Sequence, residues 1–361
     1  MITFDGVSKK YPDGTVALDD VSLECETGRI TVFVGTSGGG KTTALRTINR
    51  MVEPTSGRVL IDGKDVRDRP PAELRRGIGY VIQHAGLFPH RTIVDNIATV
   101  PYLLGWDKKK ARARALELMK RVGLDPGMAR RYPFQLSGGQ QQRVGVARAL
   151  AADPPIMLMD EPFSAVDPVV RAELQDEFLR LQAELEKTIV FVTHDIDEAI
   201  RLGDRIAVFR TGGRLVQVDT PERLLAHPAD DFVAEFIGRN RGIRSLSFAR
   251  ASALRLRDDV VVEDDADGVD APGAEWVLVV DADRRPLGWA RTAEITGTPG
   301  EAPLAPVGPT FDVTTDSVRS ALDAAVLSPS GLAVGLDPTG AVAGVAGGAD
   351  LLAASSAGGT G

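Results

Sequence analysis

Sulfur is scarce in this chain: 361 residues carry one cysteine, Cys25. A single thiol excludes an intrachain disulfide and any cysteine-cluster metal site. Long apolar runs are also missing, since none approaches the ~20 residues that cross a bilayer. If the chain powers movement across a membrane, a separate protein must supply the channel. The start, Met1-Ile2-Thr3-Phe4-Asp5-Gly6, lacks the basic and apolar regions of a signal peptide, and a cytosolic setting is expected. Excess positive charge is absent too. The net formal charge is −8, and residues 251–361 hold no Lys, six Arg and 17 Asp or Glu, for a local net of −11 against +3 elsewhere. That balance argues against a nucleic-acid partner held by bulk electrostatics. Apolar content of 43% and charged content of 25% are ordinary for a soluble globular protein. The length allows two domains, each with its own core.

What is present begins with Gly35-Thr36-Ser37-Gly38-Gly39-Gly40-Lys41-Thr42-Thr43. Ile30 to Val34 before it has the β-branched and aromatic character of a buried strand. Ala44, Leu45, Ile48 and Met51 after it fall at helical spacing. Strand, glycine loop and helix form the context in which backbone N–H groups and a helix N-terminus cradle phosphate. Lys41 would reach the terminal phosphates, and the Thr42 hydroxyl would ligate Mg²⁺. An ordinary Gly-rich turn could match these few residues alone, so the decision rests on a second string.

That string is Leu136-Ser137-Gly138-Gly139-Gln140-Gln141-Gln142-Arg143. Beyond it, the apolar run Ile156-Met157-Leu158-Met159 ends in Asp160-Glu161, and Val190-Phe191-Val192 ends in Thr193-His194-Asp195. Ligands in α/β sheets bind at such strand ends. Phosphoryl transfer needs charge neutralisation and a positioned water more than covalent help. Asp160 is therefore a candidate to hold Mg²⁺, Glu161 to act as general base on water, and His194 to donate to the γ-phosphate. With Ser164-Ala165-Val166-Asp167, Tyr80-Val81-Ile82-Gln83 and an aromatic at Tyr11, the whole resembles the ATP-binding-cassette (ABC) ATPases over roughly residues 1–240.

The resemblance implies an α/β fold: a P-loop ABC ATPase domain with a RecA-like core, a β-rich subdomain and a helical signature subdomain. It implies catalytic Glu161, His194 and Gln83, and Mg²⁺ ligation by Thr42, Gln83 and Asp160. ATP contacts would come from Tyr11, Gly35, Ser37, Gly38, Gly40, Lys41, Thr42 and Thr43, and from Ser137, Gly138, Gly139, Gln140 and Asp167. Tyr11 would stack on adenine, although a packing role suits an aromatic there too. Ser137 and Gly139 would open a helix from Gln140 to Ala151 and offer a second anion site. Family members pair head to tail, each ATP lying between the phosphate loop of one copy and the signature of the other.

Organisation follows the patterns. Residues 1–65 read as a β-rich lobe, 92–152 as helical, and Asp167 to Leu185 as a helix with Pro168 in its first turn. In the helix Lys108 to Val122, residues Ala111, Ala115, Leu118, Met119 and Val122 share one stripe. Arg205–Arg210 and Arg214–Val218 read as a hairpin about Gly212-Gly213, and Pro221–Ile237 as two short helices. The domain reading is 1–240 for the nucleotide-binding domain, 241–257 for an Arg- and Ser-rich linker, 258–352 for a regulatory module and 353–361 for a disordered tail. Within 258–352, Val280-Asp281-Ala282-Asp283 with Gly288 aligns with Leu336-Asp337-Pro338-Thr339 with Gly344 at an offset of 56 residues. Strand, turn, strand and helix repeated twice resembles a degenerate tandem CBS module; any small Ala-rich α/β domain is the alternative. Nucleotide-binding CBS repeats place Ser or Thr, then Asp, at successive three-residue steps after such a glycine. Here those positions are Arg291 and Glu294, then Gly347 and Asp350, so weak or absent adenosine-nucleotide binding is expected.

Tyr80 to His90, Met159 to Arg171 and Phe236 to Gly242 resemble the ATPases of quaternary-amine importers (glycine betaine, choline, carnitine, proline betaine), whose cassette a CBS pair usually follows. That likeness implies a homodimer at the cytoplasmic face of a bacterial cell membrane, with integral-membrane permease subunits and a separate solute-binding protein as partners. An importer ATPase for another solute (polyamine, amino acid, sugar or anion) is the alternative. A soluble ABC protein without transport usually fuses two cassettes or inserts a long coiled coil, and neither occurs here.

Overall fold

The computed structural model describes residues 1–351 apart from 84, 85, 165, 239 and 270. His84 and Ala85 of the stretch after Tyr80, Ala165 of the Ser164–Asp167 turn, Arg239, and the expected tail 353–361 therefore lie outside the described residues. The chain divides into two compact units, Met1–Phe236 and Ile237–Gly361.

The strands of the first unit are β1 (Ile2–Lys10), β2 (Val16–Cys25), β3 (Ile30–Gly35), β4 (Ser56–Ile61), β5 (Lys64–Asp65), β6 (Ile78–Val81), β7 (Ile156–Asp160), β8 (Thr188–Val192), β9 (Arg205–Arg210) and β10 (Arg214–Asp219). They make two sheets, ordered β2-β1-β4-β5 and β10-β9-β3-β8-β7-β6. The first is antiparallel and amphipathic: Ile2, Phe4 and Val7 of β1 and Leu18, Val21 and Leu23 of β2 turn inward while their neighbours stay wetter. The second is parallel from β9 through β6, with β10 an antiparallel edge. Its central strands β3, β7 and β8 are buried at every position, as continuous apolar runs under helices require. Across the join between the sheets, Phe4 meets Phe33 edge to face and Phe33 meets Phe209 at a tilt.

The helix Lys41–Ile48 drops Ala44, Leu45 and Ile48 into this core. A helical block follows β6: Ile93–Ile97, Thr99–Leu103, Lys108–Arg121 and Gly138–Leu150. In Lys108–Arg121 the stripe Ala111, Ala115, Leu118 and Met119 is buried, and the Asp107 carboxylate caps the N–H groups of Lys109 and Lys110. Parallel order matters for the site. It brings the C-terminal ends of β3, β8, β7 and β6 to one edge, beside the start of the helix Lys41–Ile48.

The second unit has strands β11 (Val261–Glu263), β12 (Trp276–Val280), β13 (Pro286–Arg291), β14 (Thr310–Asp312), β15 (Ala333–Leu336) and β16 (Val342–Ala346), in two three-stranded sheets. Each sheet joins a parallel pair to an antiparallel one, and the registers repeat: Val279 faces Gly288 as Gly335 faces Gly344. The two sheets share one core built on Leu278, Val280, Trp289, Val334 and Val345. The copies differ in one respect. The helix Val318–Leu327 joins β14 to β15, whereas the described residues between β11 and β12 form turns, because Asp264, Asp265, Asp267, Gly268, Pro272 and Gly273 break any apolar stripe. The stretch 241–257 expected as a linker is folded into this unit. Leu246, Ala251 and Leu254 lie in its core; Ala251 N donates to Asp316 O, Val318 N donates to Ala249 O, and Arg257 and Val345 exchange backbone hydrogen bonds.

No helix among the described residues is long and apolar enough to cross a membrane. Cys25 at the end of β2 is fully buried, and burial pushes its thiol pKa up to about 12. The native protein should therefore resist a thiol reagent at pH 8 and take up one label per chain only on unfolding, as counted by intact mass.

Candidate functional site

The loop between β3 and the helix Lys41–Ile48 is pinned by close backbone contacts. Gly35 (φ +146°) and Gly40 (φ +81°) each sit where an added Cβ would come within 1.9 Å of a carbonyl oxygen, of Phe209 and Ala17 respectively. Only glycine fits there, so the loop is held from both sides while Ser37 and Gly38 stay exposed at its crest. The Lys41 ammonium folds across the loop and donates to Gly35 O at 2.8 Å and Thr36 O at 2.9 Å. Burial lowers its pKa, and the nearby Glu161 and Asp160 carboxylates oppose that shift.

The next residue reaches another strand. Thr42 Oγ1 donates to Asp160 Oδ1 at 2.9 Å, and Tyr80 Oη lies 3.4 Å and Arg46 Nη2 3.5 Å from Oδ2. A cation and two hydroxyls thus surround one nearly buried carboxylate at the end of β7. The neighbouring tyrosine hydroxyl, then Asp160, raises the pKa of Arg46, while burial raises that of Tyr80.

Glu161 follows Asp160 with φ +48°, a strained conformation for a side chain of this size. The surroundings fix it. Its N–H donates to Val192 O at 3.0 Å, and its own carbonyl accepts from Ser164 N and from Ser164 Oγ, the latter at 2.9 Å. The kink sets the carboxylate between two groups from other strands: His194 Nδ1 lies 3.2 Å and Gln83 Nε2 3.4 Å from Glu161 Oε2. The structure thus brings Gly35, Lys41, Thr42, Gln83, Asp160, Glu161 and His194 to one sheet edge. An ammonium, a second cation, phosphate-sized backbone donors and a partly exposed carboxylate suit transfer of a phosphoryl group to water.

Ser137, Gly138, Gly139 and Gln140 lie apart from this cluster in sequence, at the start of the helix Gly138–Leu150. This helix begins two residues earlier than expected, because Ser137 is its N-cap. Ser137 Oγ accepts from Gln140 N at 3.3 Å and Gln140 Oε1 accepts from Ser137 N at 3.0 Å, a reciprocal capping box. Gln140 is thereby committed to the cap. Asp167 is exposed at the start of the helix Pro168–Leu185. Tyr11 lies beyond β1 with its ring exposed and the Lys9 ammonium 5.2 Å from the ring centre. Thr43 is half-buried on the first helical turn.

Arg46 and the Tyr80 hydroxyl escaped the motif reading. The signal for Arg46 was its i+4 relation to Thr42, which sets both on one helix face. For Tyr80 no local pattern signals the contact: β6 is buried at Ile78, Gly79 and Val81, and the pairing of β6 with β7 brings the hydroxyl to Asp160.

Comparison with known proteins agrees with this geometry. The family model described as ABC transporter matches residues 18–164. A choline transport ATP-binding protein of Bacillus subtilis is 55% identical over 68% of this chain, which spans 65% of that relative's length. An osmoprotectant import ATP-binding protein of Salmonella typhimurium is 47% identical over 79% of this chain and 76% of its own. A glycine betaine uptake ATP-binding protein of Escherichia coli is 46% identical over 80% and 96%. Among solved structures, a dimeric post-hydrolysis ATP-binding cassette bound to ADP and Pi matches 61% of this chain and 99% of its own, with a TM-score of 0.56 and 36% identity.

Removing the capping box is a local test. Ser137→Ala should cost about 1 kcal/mol of stability and Ser137→Thr much less, read from urea unfolding midpoints.

Proposed function

The chain belongs to the ABC transporter family of ATPases, and from that premise we propose that it energises a membrane permease for uptake of quaternary-amine compatible solutes such as choline, glycine betaine, carnitine or proline betaine. The observation that carries the solute class is the identity of about half the aligned residues with choline, carnitine and glycine betaine import subunits. The site carries the chemistry. ATP binds through the glycine loop, whose N–H groups and Lys41 meet the phosphates.

Glu161 takes the proton of the attacking water, and its Oε2 is oriented for this by His194 and Gln83. His194 then faces the γ-phosphate. Gln140 Oε1 already accepts from Ser137 N in the cap, so the N–H groups of Gly138 and Gly139 are the ones that meet phosphate. Tyr11 supplies the adenine-stacking surface, and Asp167 lies on the turn that meets the second copy.

Thr42 and Asp160 suit Mg²⁺: two hard oxygens converge within 2.9 Å, and no cluster of three His, Cys, Asp or Glu occurs among the described residues to form a closed protein cage. That matches a cation held by one or two protein oxygens and by the nucleotide's phosphates, with Gln83 alongside, and it would neutralise phosphate charge.

In our reading two copies enclose two nucleotides, each signature loop completing the partner's phosphate site. The permease anchors the pair to the membrane and a separate binding protein delivers the solute. The second unit is read as a degenerate CBS-like pair. The Asp350 carboxylate, the one acidic position that matches a nucleotide-binding repeat, already accepts from Gly347 N at 3.0 Å, which favours a regulatory input other than adenosine nucleotide.

Two variants test the catalytic assignment. Glu161→Gln should lower kcat for ATP about a hundredfold or more while retaining ATP binding, and Lys41→Ala should raise the Kd for ATP about tenfold or more. Co-expressed with its permease and binding protein, the wild-type chain should drive uptake of labelled choline or glycine betaine and Glu161→Gln should not. Wild-type hydrolysis by Glu161→Gln contradicts its role, and uptake of polyamine or sugar instead contradicts the solute class.

A further inference from the structure

Behind Glu161 and His194 lies a polar cavity of about 40 Å³ whose other walls have no task in the chemistry above. Arg171, Asp195 and Glu198 line it together with Glu161, Ser164, Thr193 and His194. Its volume is enough for an ordered water, and its walls offer the polar partners such a water needs.

Two of those partners are costly to leave alone. Glu198 is a buried carboxylate, on the first turn of the helix Ile196–Leu202. Gln175 Nε2 donates to its Oε1 at 3.0 Å, and Arg201 Nη1 holds Gln175 by its amide oxygen at 3.2 Å. Burial raises the pKa of Glu198, with Asp195 adding to the rise, while Thr193, Gln175 and Arg171 oppose it. Arg171 comes from a different element. Its Nη2 donates to Val166 O at 3.3 Å, its Nη1 lies 4.0 Å from Asp195 Oδ2, and its buried Nε has no hydrogen-bond partner among the described residues. Arg171 and Glu198 thus wall one cavity from two different elements.

The elements so joined are the ones that must agree for turnover. Arg171 grips the turn carrying Val166 and Asp167. Glu198 and Asp195 belong to the segment that carries Thr193 and His194, and Asp195 N–H donates to Thr193 Oγ1 at 3.0 Å. We propose that Arg171 and Glu198 are positioning residues for ATP hydrolysis, binding one ordered water across this cavity and so keeping the Val166–Asp167 turn in register with Glu161 and His194. The proposal rests on the ATPase reading above, and neither side chain takes part in bond making.

The test is steady-state hydrolysis by the full-length chain carrying Arg171→Leu, Glu198→Leu, both, or Glu198→Gln, with Glu161→Gln as the silent control. Each leucine variant should lower kcat about tenfold or more, because small misplacement of a general base is expensive. KM for ATP should stay within about twofold of wild type, since the phosphate loop is untouched. The double variant should be no slower than the worse single one, as two halves of one bridge require. Glu198→Gln keeps size and hydrogen-bonding capacity and should recover most of the loss. Should Glu198→Leu fail to fold, Arg171→Lys, which keeps the charge but not the forked guanidinium that reaches both Val166 O and Asp195, should show the same fall in kcat at constant KM. Near-wild-type kcat in the folded variants, losses that multiply in the double, or no recovery with Glu198→Gln would overturn the proposal. Active wild type beside a silent Glu161→Gln keeps the ATPase reading in place through any of these results.

Discussion

The hydrogen bond from Thr42 to Asp160 spans 118 residues of sequence, and the site exists because the sheet makes that span short. β3 and β7 are not neighbours; β8 lies between them, and all three run parallel. Parallel order sends every C-terminal end to one edge, so a phosphate loop, a carboxylate pair and a histidine from three strands converge without long side chains. The remaining fixtures serve this edge. Gly35 and Gly40 permit the loop to lie against backbone on both sides, and β8 holds Glu161 in its unfavourable φ. Strain at Glu161 is stable only because two carbonyl contacts and a backbone donor over-determine it.

Electrostatics at this edge are arranged in two layers. Lys41 and Arg46 stand against Asp160 and Glu161, near neutrality overall, so a polyanionic ligand meets backbone dipoles and an ammonium already held in place. Behind them Arg171, Asp195 and Glu198 form a second charged set around a small cavity. Glu198, the buried member, accepts from Gln175, while the part-exposed Arg171 and Asp195, 4.0 Å apart, join the Val166–Asp167 turn to the segment that carries His194.

Much of this was legible in the residues themselves. Asp160 ends an apolar strand, Glu161 and His194 follow one within two residues, and Lys41 and Thr42 follow β3 through the glycine loop, so local pattern placed all five. The hairpin about Gly212-Gly213 and the stripe of Lys108–Arg121 were equally readable, because period and turn chemistry are local properties. Arg46, Tyr80, Arg171 and Glu198 were not readable as a group. Each looks like a surface helix charge or a strand aromatic until the sheet order sets it beside a residue far away in sequence. The stretch 241–257 misled for another reason: Leu246, Ala251 and Leu254 are spaced irregularly among Arg and Ser, with no helical or strand period to betray a buried face. In the second unit the repeat was visible at 56 residues, yet the described residues of one copy form no helix there, since Asp, Gly and Pro occupy that stretch of the chain.

The proposed function depends finally on each copy completing the other's phosphate site, since the glycine loop and the Ser137–Gln140 turn open two different helices and each copy carries one of each. Sedimentation equilibrium of Glu161→Gln with Mg-ATP tests this most directly. The account predicts a dimer that forms with ATP, dissociates when nucleotide is removed, and fails to form when Ser137 or Gly139 is replaced by a bulky residue. A Glu161→Gln protein that binds ATP yet remains monomeric at every concentration would contradict it.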